Sequence, residues 1–350
     1  MTITFAEFIN ELIVNPKLLI ITFFVLGVIL VNGWTDAPNA IATCVSTRSL
    51  SPKKSILMAA VFNFCGVLFM TLVNSTVVQT IYNMVDFGTN SQAALTALTA
   101  AMFSIVLWAV VAWWFGIPTS ESHALIAGIS GSAIAIQKGL SGINGEEWIK
   151  VIYGLVLSTV LGFCLGYTIA KIIKQVCKNM QRQKTTNFFK KTQVVGAATM
   201  AFMHGAQDGQ KFMGIFLLGV CLSLGITGST TFVIPVWLMV LCSLTMTIGT
   251  SIGGYRIIKT VGMGMVKMEP YEGTAADISG AICLWLSSIF GFPVSTTHTK
   301  TTAIMGVGSS KRLSNVNWST VKNMVYAWIL TFPGCGLLGF LATLIFMKIF

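Results

Sequence analysis

The stretch that decides the fold occupies residues 290–298 and consists of Phe-Gly-Phe-Pro-Val-Ser-Thr-Thr-His. A close copy, Phe-Gly-Ile-Pro-Thr-Ser-Glu-Ser-His, occupies residues 115–123. A second pair of segments is spaced in the same way, because Asn-Gly-Trp-Thr-Asp ends at Asp36 and His-Gly-Ala-Gln-Asp ends at Asp208. Two matches in the same order and at nearly the same offset predict an internal duplication.

A weaker third match extends the duplication, because Trp148 and Trp318 each open a long apolar segment. The predicted divisions are an N-terminal segment (1–16), a first repeat (17–175), a basic linker (176–191) and a second repeat (192–350). Two homologous halves with a substrate site between them are a common plan of transporters. An odd number of spans in each half would make the halves inverted, and the sequence alone does not fix that number.

The composition places these halves in a membrane. Hydrophobic residues make up 54% of the 350 residues and charged residues only 9%, whereas about 25% are charged in a typical soluble domain. This excludes a soluble enzyme, a disordered protein and a secreted disulfide scaffold. Long uncharged runs predict an all-α integral membrane protein with about eight to ten spans. The run 212–255 is too long for one span, and we expect Gly225 to Gly228 to divide it.

The charges suggest an orientation. The net charge is +11, and seven cations without an acid lie between Lys171 and Lys191. Cytoplasmic loops carry such an excess, so we expect this segment in the cytoplasm and attribute the basic balance to the loops and not to nucleic-acid binding. The eight cysteines are scattered singly in apolar runs, which is typical of small buried side chains. No cofactor is predicted.

Two carboxylates interrupt the apolar runs at equivalent places. An ionised side chain at the bilayer centre costs about 2.5–3.5 kcal/mol on insertion scales and commonly marks an ion or substrate path. Asp36 and Asp208 are therefore predicted site residues, and helix-end aspartates at the headgroups are the alternative. Gly33 and Gly205 predict a helix break in each half, and Pro38 strengthens that prediction in the first half.

The two proline-containing segments are predicted to be hairpin turns, each followed by a helix of small residues. Ser120 and Ser295 occupy the expected N-cap positions, after Pro118 and Pro293. Helix N-termini offer free N–H groups and a positive dipole end that suit an oxyanion. Ordinary capping would explain the two serines equally well, but not why the histidines repeat.

All three histidines of the chain fall within the repeated segments, which favours a role in substrate binding or proton transfer for His123, His204 and His298. Lys211 follows Asp208 by three residues and shares its helix face. Its ammonium group either neutralises Asp208 or attracts an anion, and we favour the anion. Snorkelling to the interface is the alternative. The role of Lys300 stays open.

Together these motifs resemble the signature segments of PiT-type inorganic phosphate transporters, over residues 17–350. The resemblance is carried by Gly33–Ala40, His204–Gly214 and Phe290–His298. It implies a multi-pass protein of the bacterial inner membrane with two inverted repeats and re-entrant helical hairpins, commonly a homodimer. It also implies phosphate import coupled to H⁺ or Na⁺. The implied phosphate site comprises Asp36, Asn39, Ser120, Ser122, Asp208, Ser295, Thr296 and Thr297.

Three positions depart from the family pattern. Gln207 stands where Asn is frequent, and Lys211 stands where the sodium-coupled branch usually has Asn. A fixed ammonium group is able to replace a bound sodium ion electrostatically, which favours H⁺ as the coupling ion over Na⁺. Glu121 replaces a hydroxyl residue and is either a proton carrier or an interfacial acid. The candidates for coupling or for proton or cation transfer are Glu121, His123, His204, Gln207 and His298; no metal is assigned.

A permease for sulfate or another tetrahedral oxyanion is the closest alternative. Phosphate near neutral pH carries O–H donors that an aspartate can accept, whereas sulfate has none, so the paired aspartates favour phosphate. An intramembrane hydrolase built on Ser120 or Ser122 with His123, or on Ser295 with His298, is disfavoured. Adjacent residues rarely give the required geometry, and a catalytic pair has no reason to occur in both halves. We therefore expect no enzyme activity, and concentrative uptake would exclude a channel.

Overall fold

The computed structural model describes residues 3–117, 119–226 and 233–350. Within these ranges the chain forms fourteen α-helices. They are α1 (Phe5–Val14), α2 (Pro16–Thr35), α3 (Pro38–Ser46), α4 (Pro52–Val73), α5 (Thr76–Tyr82), α6 (Ser91–Trp114), α7 (Glu121–Gln137), α8 (Gly145–Val176), α9 (Arg182–Ser223), α10 (Val236–Ile252), α11 (Tyr255–Met263), α12 (Pro270–Ile289), α13 (Thr296–Lys311) and α14 (Trp318–Ile349). Pro118 of the first hairpin, and Thr227 and Gly228 of the predicted division at Gly225 to Gly228, lie outside the described residues.

Five segments of the described chain are long and apolar enough to cross a membrane: α2 with α3, α4, α6, α8 and α14. A sixth results if α10 and α11, which meet at a bend of 74°, form one span. This is fewer than the eight to ten spans predicted. Helices α7 and α13 have only 17 and 16 residues, and the second half of α9 contains the charged residues Asp208 and Lys211.

Helix α9 is the central element of the molecule. It has 42 residues, and every residue from Met203 to Leu222 is buried. It packs against α4 and α12, and also against α2, α3 and α5. A helix enclosed on all sides holds its polar side chains in fixed surroundings, which is what a site near the bilayer midplane requires.

The repeated segments form two helical hairpins, α6 with α7 and α12 with α13. Each turn contains a glycine in the left-handed region, with φ of +67° at Gly116 and +68° at Gly291, which an L side chain adopts only with strain. The helices opened by the repeated tryptophans cross over, because α8 packs against α12 and α13 while α14 packs against α6 and α7. Both crossing helices have 32 residues.

The basic segment 176–191 is largely helical. Helix α8 ends at Val176 and α9 begins at Arg182, so only a short connection separates them. Arg182 lies 3.7 Å from Glu269, which precedes α12. The start of α12 therefore lies at the same end of the molecule as the cationic segment. The division into two repeats and a linker, and the relative orientation of the repeats, stay predictions.

Candidate functional site

The two repeated aspartates come together from different parts of the chain. Asp36 is the C-cap residue that follows α2, and Asp208 lies within α9. The Thr296 hydroxyl, at the start of α13, lies 3.2 Å from a carboxylate oxygen of each aspartate. All three side chains are at most 2% exposed. The site is therefore a buried cluster of two carboxylates at the N-terminal end of a hairpin helix.

The first aspartate is held by hydrogen bonds alone. Asn39, in the first turn of α3, donates its Nδ2 to Asp36 Oδ1 at 2.6 Å and to the Thr297 hydroxyl at 3.1 Å. Thr297 in turn donates to Asp36. Pro38 starts α3 with its ring at the position where a helix needs no N–H donor. The break that it creates places Asp36 and Asn39 opposite α13.

The second aspartate is held by a cation. The Lys211 ammonium lies 2.7 Å from Asp208 Oδ1 and 2.7 Å from the Ser122 hydroxyl, and it also donates to the carbonyl of Val294. Three acceptors satisfy the three donors of an ammonium group. Lys211 is completely buried, so it does not snorkel. Its contact with Asp208 is that of a neutralising partner. The anion-binding role that we favoured from the sequence stays a prediction.

Two further side chains contact Asp208 from equivalent positions of the repeated motif. Asn32 Nδ2 donates to Asp208 Oδ2 at 3.1 Å, and His204 Nε2 lies 3.3 Å from the same oxygen. The other ring nitrogen of His204 lies 3.1 Å from Asn63 Oδ1 on α4. The sequence analysis missed Asn32, although it begins the first copy of the motif exactly where His204 begins the second.

Ser120 and Ser295 are the N-caps of α7 and α13, as predicted. Each hydroxyl accepts a hydrogen bond from the backbone N–H three residues later, at 3.2 Å in both hairpins. These hydroxyls thus serve their own helices, whereas Ser122, Thr296 and Thr297 are directed at the carboxylates. Direct phosphate binding by the two capping serines stays a prediction.

Glu121 begins α7 next to the carboxylate cluster and is only 2% exposed. The Thr35 hydroxyl, at the end of α2, contacts Glu121 Oε1. The second carboxyl oxygen is buried without a hydrogen-bond partner among the described residues. Thr35 was not singled out by the sequence, because a threonine inside an apolar helix gives no signal of its own.

Two of the three histidines lie in an aromatic cluster and not beside the carboxylates. The rings of His123 and His298 meet edge to face, with centroids 4.4 Å apart. His298 also packs on Trp328 and His123 on Phe332, both from α14.

Gln207 donates to Ser288 of α12 at 2.8 Å and so connects α9 to the second hairpin.

One group of side chains has the spacing of a small-cation site. A carboxylate oxygen of Asp36, one of Asp208 and a ring nitrogen of His204 lie within 4.8 Å of one another. Sodium prefers oxygen ligands, and imidazole suits transition metals. Because Asp208 already contacts the Lys211 ammonium, this donor set fits sodium poorly.

A second buried ion pair lies outside the predicted site. Lys300 contacts Asp277 of α12, and both side chains are completely buried. The Lys300 side chain is therefore directed at Asp277. The sequence had left the role of Lys300 open. Asp277 was missed because it borders an apolar run and has no counterpart in the repeated motif.

Comparison with known proteins shows which family this chain belongs to. The sequence model of the phosphate transporter family matches residues 32–339. The chain belongs to the phosphate transporter family. A Bacillus subtilis protein named "Probable low-affinity inorganic phosphate transporter" is 39% identical over 91% of this chain and 94% of its own length. A Rhizobium meliloti protein of the same name is 37% identical over 88% of this chain and 90% of its own.

A solved structure named "The sodium-dependent phosphate transporter" shares the fold, with a TM-score of 0.85 at 22% identity over 96% of this chain and 100% of that chain. This phosphate transporter is thus a multi-pass protein of the cell membrane and not an enzyme. The family membership favours phosphate over sulfate. Its substrate is inorganic phosphate, and its coupling ion is a separate question.

Proposed function

We propose that this phosphate transporter imports phosphate by proton symport and binds it at the cluster of Asp36 and Asp208. The observation that carries this proposal is the Thr296 hydroxyl, which lies 3.2 Å from each of the two carboxylates. A tetrahedral ligand that accepts a hydrogen bond from this hydroxyl would lie close enough to contact both carboxylates. Phosphate would accept hydrogen bonds from Thr296 and Thr297 and donate its own O–H groups to the aspartates.

This arrangement discriminates by hydrogen bonding. A buried carboxylate that loses its donor is left unpaired, and sites that rely on such bonds reject ligands without the donor by large factors. Sulfate has no O–H donor at neutral pH and would face two carboxylates. The backbone N–H groups at the start of α13 would supply donors for the remaining phosphate oxygens. Ser122 and Asn39 complete the proposed binding site.

Proton coupling is supported by the surroundings of Asp208. Its Oδ1 is paired with the Lys211 ammonium at 2.7 Å, and Lys211 has no further donor to give. A bound cation at the same carboxylate would meet that positive charge in a medium of low dielectric. We infer that the fixed Lys211 ammonium supplies the positive charge that a coupling sodium ion would bring to Asp208 in each transport cycle. The coupling ion is then the proton.

We assign the proton to Glu121. Its carboxyl group is buried beside Asp36 and Asp208, and its free Oε2 offers a place for a proton that the fold does not otherwise occupy. Acidic residues buried in membrane-spanning segments commonly serve in proton relays. His204 is the second candidate because it lies 3.3 Å from Asp208. His123 and His298 pack instead in the aromatic cluster, and Gln207 contacts Ser288.

The test is labelled phosphate uptake into proteoliposomes of the purified chain, with an inward proton gradient or an inward sodium gradient imposed separately. Concentrative uptake driven by protons alone, and insensitive to excess sulfate, is the expected result. Uptake that requires sodium would overturn the coupling assignment, and full competition by sulfate would overturn the selectivity argument.

The proton carrier is tested by Glu121→Gln with Glu147→Gln as the matched control. Glu147 is also a buried helix-start glutamate, but it pairs with Lys150 on α8, far from the cluster along the chain. We expect Glu121→Gln to lose proton-driven uptake while phosphate exchange across the membrane persists, and Glu147→Gln to keep both. Proton-driven uptake by Glu121→Gln would contradict the assignment. The homodimer implied by the resemblance stays a prediction that cross-linking in membranes can test.

A further inference from the structure

A second group of buried polar side chains lies close to the proposed phosphate site. Lys300 contacts Asp277, and its ammonium lies 3.1 Å from the Thr43 hydroxyl. Thr43 donates to Asp277 Oδ1 at 2.7 Å, and Gln193 Nε2 donates to Asp277 Oδ2 at 2.5 Å. These four side chains, which we call the Asp277 layer, are completely buried. They join α3, α9, α12 and α13, and none of them belongs to the carboxylate cluster.

The Asp277 layer is aligned with the phosphate site along two helices. Thr43 follows Asn39 by four residues on α3, and Lys300 follows Thr296 by four residues on α13. Residues four apart share one face of a helix, and one turn rises about 5.4 Å. The layer therefore lies about one turn beyond the phosphate site on the same two facing surfaces.

The layer lies on the side of the cationic segment. Helix α13 runs from the phosphate site to Lys311, which pairs with Glu272 in the first turn of α12 at 2.8 Å. Glu269, the N-cap of α12, lies 3.7 Å from Arg182 of the basic segment. Because that segment has the charge of a cytoplasmic loop, the layer stands between the phosphate site and the cytoplasm.

A buried ion pair is a poor device for stability, since apolar side chains of similar size commonly serve as well or better. An ion pair that parts and re-forms is instead a two-state element. Alternating access requires such an element on each side of a central site. We propose that the Asp277 layer is the inner gate of the transporter: it seals the phosphate site from the cytoplasm and parts to release phosphate.

The charges suit that task. When Asp277 and Lys300 separate, the Lys300 ammonium and the Thr43 hydroxyl become free to attract the departing phosphate anion, which is then drawn out of the acidic cluster. When phosphate has left, Asp277 recaptures the ammonium and the gate closes. The proposal rests on the phosphate site proposed above, but it does not depend on the identity of the coupling ion.

The test compares two double variants that each remove one ion pair between α12 and α13. Asp277→Asn with Lys300→Gln removes the gate pair, and Glu272→Gln with Lys311→Gln removes the pair at the helix ends. Each variant is reconstituted with labelled phosphate inside, and downhill phosphate efflux is measured without any ion gradient. Concentrative uptake and equilibrium phosphate binding are measured in parallel.

For the gate variant we expect downhill efflux to rise severalfold, concentrative uptake to fall at least tenfold, and phosphate binding to stay within threefold of the wild type. The control should match the wild type in all three. Efflux equal to that of the control would overturn the proposal, and so would a loss of phosphate binding together with all flux. Protons and sodium are kept at equal activity on both sides of the membrane, so an error in the assigned coupling ion leaves the outcome unchanged.

A milder variant guards against a folding defect. Thr43→Val keeps the side-chain shape and removes the hydroxyl that touches both charges. We expect a two- to threefold rise in efflux. Unchanged efflux from a folded Thr43→Val protein would overturn the gate assignment.

Discussion

Each copy of the aspartate motif places a carboxylate in the buried cluster, and the two copies stabilise that carboxylate in different ways. In the first copy the helix stops at Thr35, resumes at Pro38, and leaves Asp36 at the break to receive hydrogen bonds from Asn39 and Thr297. In the second copy α9 continues without a break, and Asp208 is stabilised by the Lys211 ammonium. A buried carboxylate can thus be supported either by a broken backbone or by an opposite charge.

Proline explains why only one helix breaks. Pro38 lacks an N–H and its ring excludes the helix of the preceding residues, whereas the second copy has Gly209 after Asp208, and no proline. The predicted break at Gly205 was therefore wrong. Both motif glycines serve close packing: an added Cβ at Gly33 would lie 2.4 Å from the Met246 carbonyl oxygen, and one at Gly205 would lie 2.4 Å from that of Asn63.

The strongest test of this difference is to neutralise each aspartate. We expect Asp36→Asn and Asp208→Asn each to reduce phosphate uptake at least a hundredfold. Only Asp208→Asn should also destabilise the protein, by about 3–5 kcal/mol, because it leaves the buried Lys211 ammonium unpaired. Uptake into vesicles and thermal unfolding in detergent separate the two effects.

Asp208→Asn combined with Lys211→Met is the matched control, since it removes both charges of the pair. We expect it to recover most of the lost stability but none of the uptake. Normal uptake by either single variant would refute the assignment of that aspartate to the phosphate site. Equal stability of the two single variants would refute the contrast between a break and a charge.

Replacing Lys211 tests whether its charge is what distinguishes the second aspartate from the first. We expect Lys211→Asn to lower proton-driven uptake ten- to a hundredfold and to make the remaining uptake depend on sodium, because Asp208 is then free to accept a cation. The measurement is the initial uptake rate with sodium or with choline outside. Lys138→Asn, which removes a lysine at the far end of α7, should leave the rate unchanged. Sodium-independent uptake by Lys211→Asn would show that the ammonium does not stand in for the ion.

The packing role of the motif glycines gives a smaller effect. Gly33→Ala and Gly205→Ala should each destabilise the protein by about 1–3 kcal/mol, because the new methyl group meets backbone atoms of a neighbouring helix. Thermal unfolding in detergent provides the measurement. Gly145→Ala is the control, since nothing lies within 4 Å of its Cβ position. A stable Gly205→Ala variant would contradict the packing role and reopen the question of why both motifs carry glycine.

Much of this site followed from local patterns in the sequence. Repetition pointed to Asp36 and Asp208, spacing placed Lys211 on the face of Asp208, and cap preferences identified Ser120 and Ser295. Contacts between distant segments were not predictable, since they depend on how helices pack. Examples are Asn32 against Asp208 and Thr35 against Glu121, which are 176 and 86 residues apart. The steric requirement for glycine at position 205 was also not predictable from the sequence, because it arises from the backbone of Asn63 on another helix.

The capping serines give the smallest expected effect and the one point where the two halves should behave alike. Ser120→Ala and Ser295→Ala each remove a hydroxyl that accepts from a backbone N–H at 3.2 Å, so we expect a loss of about 0.5–2 kcal/mol in each hairpin. Ser→Asn at either position should retain the stability, because asparagine caps equally well. If the hydroxyls instead bind phosphate, alanine would raise the KM for uptake several-fold while unfolding stays unchanged. Equal stability losses with an unchanged KM would assign both serines to the helices, and would leave Thr296, Thr297 and Ser122 as the hydroxyl donors to phosphate.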